Sequence, residues 1–108
     1  MPSPPTQLEV VERTDGAALV RLSGDLDIVT ADDVKGELVA LIDGGHRALS
    51  LDLSDVGFVD SSGLGVLVAV HRRAESAGGA LVIRSTPPQL RRLFEITRLG
   101  DLLTVDGD

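Results

Sequence analysis

The stretch Ala48-Leu-Ser-Leu-Asp-Leu-Ser-Asp-Val-Gly-Phe-Val-Asp-Ser-Ser-Gly-Leu-Gly-Val-Leu-Val-Ala-Val-His71 decides the fold. After Ala48, apolar and polar residues alternate as far as Leu53, the period of a half-buried strand. Ser54 to Asp60 reads as a connector carrying Phe58 and Val59. From Ser61 to Ala77 the period lengthens. Leu64, Leu67, Val68 and His71 fall on one helical face, and Gly78-Gly79 ends the run. A strand feeding directly into a helix of this length predicts a crossover to a parallel neighbour.

The flanking segments repeat that unit. Upstream, Val34, Leu38, Leu41 and Ile42 form the apolar stripe of a helix stopped by Gly44-Gly45. Thr30 is placed as its N-cap, with Asp33 three residues on approximating a capping box. Before it, Leu8–Glu12 and Ala18–Ser23 are short β-type runs on either side of Thr14-Asp15-Gly16, which predicts a hairpin. Downstream, Ala80–Arg84 is a strand, and Pro87-Pro88 open a short helix buried through Leu90, Leu93 and Phe94. Leu102–Val105 is expected as a last strand. The proline-rich start has no packing pattern, so residues 1–7 are expected to be a disordered tail and 8–106 the domain. The order predicts a single α/β domain with a largely parallel sheet and one antiparallel hairpin.

Composition narrows the function. A chain of 108 residues, 43% hydrophobic and 25% charged, supports one packed core. Its net charge of −7 and its two aromatic residues, Phe58 and Phe94, argue against nucleic acid as a partner. Apolar runs such as Leu64–Val70 are far short of the ~20 residues of a membrane span. No export leader is recognisable and cysteine is absent, so a cytoplasmic setting is expected. The charge is uneven. Residues 1–60 carry 12 acidic and 4 basic side chains, whereas 61–108 carry 5 and 6. An acidic first half suits either solubility or a basic partner.

Enzyme chemistry finds no support. Gly63-Leu64-Gly65 lacks the third glycine of a dinucleotide fingerprint, Val68 standing there. Neither Ser61 nor Ser62 has the flanking glycines of a nucleophile elbow. His46 and His71 lie on different elements without metal-ligand spacing, and His71 is too far along its helix to serve Ser61 as a base. No catalytic residue, metal or cofactor is expected.

What remains is Asp60-Ser61-Ser62-Gly63-Leu64-Gly65. By itself a serine pair at a helix start is an N-cap. Gly63 and Gly65 add something, since each costs about 0.5–1 kcal/mol in a helix relative to alanine. Glycine there clears the space around the hydroxyls and admits another protein's backbone. Asp60, Asp25 and Asp27 are nearby acceptors if the topology brings them together. A helix N-terminus also tolerates an anion, so a phosphate would alter the surface without unfolding the domain.

Three segments, Leu22-Ser-Gly-Asp-Leu-Asp27, Phe58-Val-Asp-Ser-Ser-Gly-Leu-Gly-Val66 and Arg92-Leu-Phe-Glu-Ile-Thr-Arg-Leu99, in that order, resemble the anti-sigma factor antagonists of the STAS domain family. The resemblance implies a four- to five-stranded mixed sheet with helices packed mainly on one face. It implies a bacterial regulator that binds an anti-sigma factor serine kinase and so releases the sigma factor. That kinase phosphorylates the antagonist, and a PP2C-type phosphatase reverses it. By the same resemblance Ser61 is the phosphoacceptor. Asp25, Asp27, Asp60, Ser62, Gly63, Leu64 and Gly65 form the partner-binding surface. Arg98 departs from the pattern, many relatives having glycine there. Two other readings stay open: a constitutive interaction subunit of a lipid-transport or stress-signalling assembly, and a weak nucleotide-binding or hydrolytic module.

Overall fold

Five strands and four helices alternate along the chain in a computed structural model that describes residues 7–105. Strand β1 (Gln7–Thr14) and strand β2 (Ala17–Leu26) form the expected hairpin, closed by Asp15-Gly16 with Gly16 at φ +83°. Glycine takes that left-handed conformation without a Cβ clash. Helix α1 (Ala31–Asp43) leads to β3 (Ala48–Val59), then helix α2 (Ser61–Ser76) and β4 (Ala80–Arg84). Helix α3 (Pro88–Thr97), the short helix α4 (Leu99–Leu102) and β5 (Thr104–Val105) complete the order. The tail expected over 1–7 lies outside the described residues except for Gln7, which pairs with Ser23; residue 106 lies outside them as well.

The sheet order is β1-β2-β3-β4-β5, antiparallel only between β1 and β2. Its inner face carries Val20, Leu22, Leu49, Leu51, Leu53, Leu81 and Ile83, all buried. Against it pack Val34, Leu38 and Ile42 of α1, Leu67, Val70 and Ala74 of α2, and Leu90 and Phe94 of α3. The other face is polar. Arg21 lies 3.3 Å from Asp52 and 3.8 Å from Glu9, in a row of charges running across the strands. The architecture is the expected mixed sheet with its helices on one face.

Three expectations are corrected, the first being the last strand, which is only Thr104–Val105, because Leu102 closes α4. The segment 54–60 is not a connector, because β3 continues to Val59. Arg21 faces Asp52 but Ser23 faces Asp55, and Gly24 faces Val56 but Asp25 faces Phe58. At each step β3 uses one residue more than β2, a bulge. The inward positions therefore run 49, 51, 53, then 56 and 59, and the alternation that marks a strand is lost. Nor does Thr30 close a capping box, as its side chain makes no cap bond to α1. Its hydroxyl turns back, donating to Asp25 O at 3.1 Å and accepting from Asp27 N at 3.2 Å.

His71 is buried on the inner face of α2, with Nε2 3.1 Å from Glu75, a packing histidine as its helical phase implied. Among the described residues, no helix is long and apolar enough to cross a membrane. Nor do any three His, Cys, Asp or Glu side chains there cluster as a metal site.

Candidate functional site

The parallel pairing of β2 with β3 sets Leu26 beside Val59, so both strands end at the same edge. From that edge one chain turns into α1 and the other into α2. The segments singled out in the sequence, 25–27 and 60–65, therefore meet here.

Asp60 joins them. It is the N-cap of α2, its Oδ1 accepting from the Gly63 amide at 2.9 Å. Its Oδ2 accepts from the Ile28 amide at 3.1 Å, and its own N–H donates to Leu26 O at 3.2 Å. One carboxylate thus closes the helix end and clamps the β2–α1 loop to it. Asp27 holds the loop from within, its Oδ1 accepting from the amides of Val29 at 3.0 Å and Thr30 at 3.3 Å. The carboxylates expected to face a partner are in large part committed to shaping this edge.

That division changes the reading of the serines. The cap is Asp60, so Ser61 and Ser62 are the first two residues of the helix itself. Neither hydroxyl makes a hydrogen bond among the described residues. Ser61 is exposed, while Ser62 is half-buried and lines a cleft of about 230 Å³ with Ile28, Asp32, Lys35 and Gly65. Both serines sit at the positive end of a 16-residue helix, where a negative charge is favoured.

The two glycines prove unlike each other. Gly63 is buried, and a Cβ there would lie 2.4 Å from Leu26 O and 2.8 Å from Val59 Cγ1. It is glycine because α2 starts hard against the end of β2, so it supports the surface from beneath and does not offer itself to a partner. Gly65 is exposed, with nothing within 4 Å of a Cβ. Only this second glycine keeps the surface open in the way expected of both.

The structure adds residues that the motifs did not single out as site residues. With its amide tied to Asp60, Ile28 projects outward at 75% exposure, and Val29 follows at 82%. Phe58, at the bulged end of β3, is 52% exposed. All three are exposed apolar side chains at the edge where β2 and β3 end. In the sequence Ile28 and Val29 fall between two motifs and carry no pattern that assigns them a role. The Asx turn at Asp27 was the available signal.

Comparisons with known proteins agree with the fold. The family described as "Mlab, STAS domain" matches residues 9–104. An anti-sigma-B factor antagonist of Bacillus subtilis is 33% identical over 97 residues, 90% of this chain and 88% of its own length. An anti-sigma factor antagonist structure from Mycobacterium paratuberculosis superposes with a TM-score of 0.82 at 29% identity, covering 95% of this chain and 86% of that one. The Bacillus cell fate determinant SpoIIAA in its phosphorylated form gives 0.71 at 25% identity, covering 95% and 92%. With the matched segment running from β1 to β5, this chain belongs to the STAS domain family.

Proposed function

We propose that this protein is an anti-sigma factor antagonist regulated by phosphorylation of Ser61. Unphosphorylated, it binds a serine-kinase anti-sigma factor through the edge formed by Ser61, Ser62, Leu64, Gly65, Ile28, Val29 and Phe58, and the sigma factor is released. The kinase transfers the γ-phosphoryl group of ATP to Ser61 Oγ, the complex separates, and a PP2C-type phosphatase hydrolyses the phosphate to restore the binding form. The setting is the bacterial cytoplasm, and the protein is the substrate of these enzymes without being an enzyme itself.

The observation that carries the reading is the division of labour at the helix start. Asp60 provides the cap, and the Ser61 hydroxyl is left exposed with no structural bond to lose. An N-cap serine would have been withheld from a kinase; this one is presented. Phosphorylation adds about −1.5 to −2 charges to an edge that carries the exposed apolar side chains of Ile28, Val29 and Phe58 beside its carboxylates. Burying that charge against a partner is costly, so the modification acts on the interface.

The test is incubation with the cognate kinase and ATP, read by intact mass and peptide mapping. The expected result is one phosphate on Ser61, absent in Ser61→Ala. Phosphate on Ser62, or none, would overturn the assignment.

A further inference from the structure

Beside the serine edge, residues of α1 and α2 line a groove of about 700 Å³. It shares Lys35 and Gly65 with the Ser62 cleft, so the two surfaces are continuous. Its floor is apolar, made by Val39, Val68 and Ala69, each partly exposed. Cations stand at its sides. Arg73 is bound to Asp43, Nη2 to Oδ1 at 2.6 Å. Lys35 and Arg72 are exposed and make no ion pair among the described residues. Lys35 is the only lysine of the chain.

The signs of these charges matter because the protein as a whole carries −7. An acidic segment is opposed by that net charge and by the carboxylates of the serine edge, Asp25, Asp27, Asp32 and Asp60. It is attracted at this groove, where two cations lack internal partners. Apolar floor and basic rim together fit an amphipathic helix, its apolar stripe on the floor and its carboxylates toward the rim. Gly65 keeps the junction between groove and cleft open, since any side chain there would project into it.

We propose that the α1–α2 groove is a second docking surface, taking an acidic amphipathic helix of the same kinase that engages Ser61. This rests on the functional reading above. It gives the kinase two footholds of different character: an apolar and hydroxyl-bearing edge that phosphorylation alters, and a basic groove that it does not directly touch. Affinity is then shared between them, and the groove component is ionic and screened by salt.

The experiment is titration of the full chain against the purified cognate kinase by calorimetry at low and high salt. The variants are Lys35→Glu and Arg72→Glu, singly and together, with Ser61→Asp and Arg13→Glu on the hairpin as controls. The expected result is loss of binding in Ser61→Asp and at least a tenfold weakening in the double groove variant. The wild type should lose more affinity with salt than the double variant, and Arg13→Glu should stay within twofold of wild type. Thermal melts of the groove variants should match wild type, since neither cation holds an internal partner. Failure of the wild type to bind the kinase at all overturns the functional reading and this proposal together. Binding that needs Ser61 but ignores the groove charges overturns this proposal alone. So does a groove variant that changes self-association of the chain and leaves kinase affinity untouched.

Discussion

Replacing Gly63 or Gly65 by alanine adds the same methyl group two residues apart in one helix, and the structure requires opposite outcomes. At Gly63 the new Cβ would fall 2.4 Å from Leu26 O, roughly 1 Å inside the ~3.3–3.6 Å at which carbon and carbonyl oxygen rest. That oxygen is backbone and also accepts from the Asp60 amide, so no side chain can swing clear. The first turn of α2 must shift, which strains the Asp60 bonds to Gly63 and Ile28. Overpacking of this kind costs about 1–3 kcal/mol, and the bonds at the cap add to it, against about 1 kcal/mol gained in helix propensity. The net is a loss of about 2 kcal/mol, or roughly 8–16 °C in Tm for a domain of this size. At Gly65 nothing lies within 4 Å, so only the propensity gain remains and Tm should rise by about 4–8 °C. The chain has no tryptophan or tyrosine, so far-UV circular dichroism is the suitable probe. Kinase affinity should fall in both variants, in Gly65→Ala despite the greater stability. A Gly63→Ala protein as stable as Gly65→Ala would show that close packing does not set the start of α2, and the account of the site would fail with it.

Asp60→Ala removes the cap and the Ile28 bond together, about 2 kcal/mol in all, whereas Asp60→Asn keeps one acceptor oxygen and should lose about half; amide exchange at Gly63 and Ile28 reports which bond is gone. Arg98 sits at φ +60°, where glycine is the natural C-cap, so Arg98→Gly should stabilise by about 0.5–1 kcal/mol in urea unfolding; a loss would mean that its side chain holds the α3–α4 corner. Burial of Asp52 raises its pKa, but hydrogen bonds from Ser54 and Arg21 outweigh that and hold the carboxyl below its ordinary value. Its contribution to stability is therefore complete above the unfolded carboxylate range, near pH ~4, and is lost as pH falls through the lowered folded value. Unfolding of Asp52→Asn should accordingly show a shallower loss of stability on acidification than wild type, and an unchanged acid limb would rule this pair out as a source of it.

Elements that follow one period were legible in the residues. The stripe of Val34, Leu38 and Ile42, the hairpin about Asp15-Gly16 and the helix beginning at Ser61 all stand as read. What escaped the sequence depends on a neighbour. The far half of β3 was hidden because its bulges are defined against β2, and one strand read alone shows only a broken alternation. Thr30 has the right type and spacing for a cap, but the hydroxyl goes where the Asp25–Asp27 carbonyls are, and only the folded loop puts them there. Gly63 and Gly65 are indistinguishable as letters; one is forced by the approach of Leu26 and the other is free. In the sequence both glycines read as clearing space around the hydroxyls, whereas packing accounts for Gly63 by the close approach of Leu26 and Val59.

If Ser61 is the phosphoacceptor, as proposed, the arrangement at Asp60 would let a phosphate act as a switch without acting as a denaturant. Were Ser61 the cap, its oxygen would hold a helix amide, and esterification would disturb that bond and the start of α2 with it. Binding would then be lost through local unfolding, and the phosphorylated protein would be less stable than the free one. With Asp60 carrying both the cap and the clamp on Ile28, the helix keeps its hydrogen bonds whatever happens at the exposed neighbour. The added charge meets two opposed fields, the positive end of α2 and the carboxylates of Asp27 and Asp60, so its effect on the fold largely cancels. No such cancellation occurs in a complex. In the proposed complex the dianion would have to leave water beside the exposed side chains of Ile28, Val29 and Phe58. On the proposed function, the energy of the switch would therefore reside in desolvation at the interface, and the fold would be left to hold the serine in place in both states.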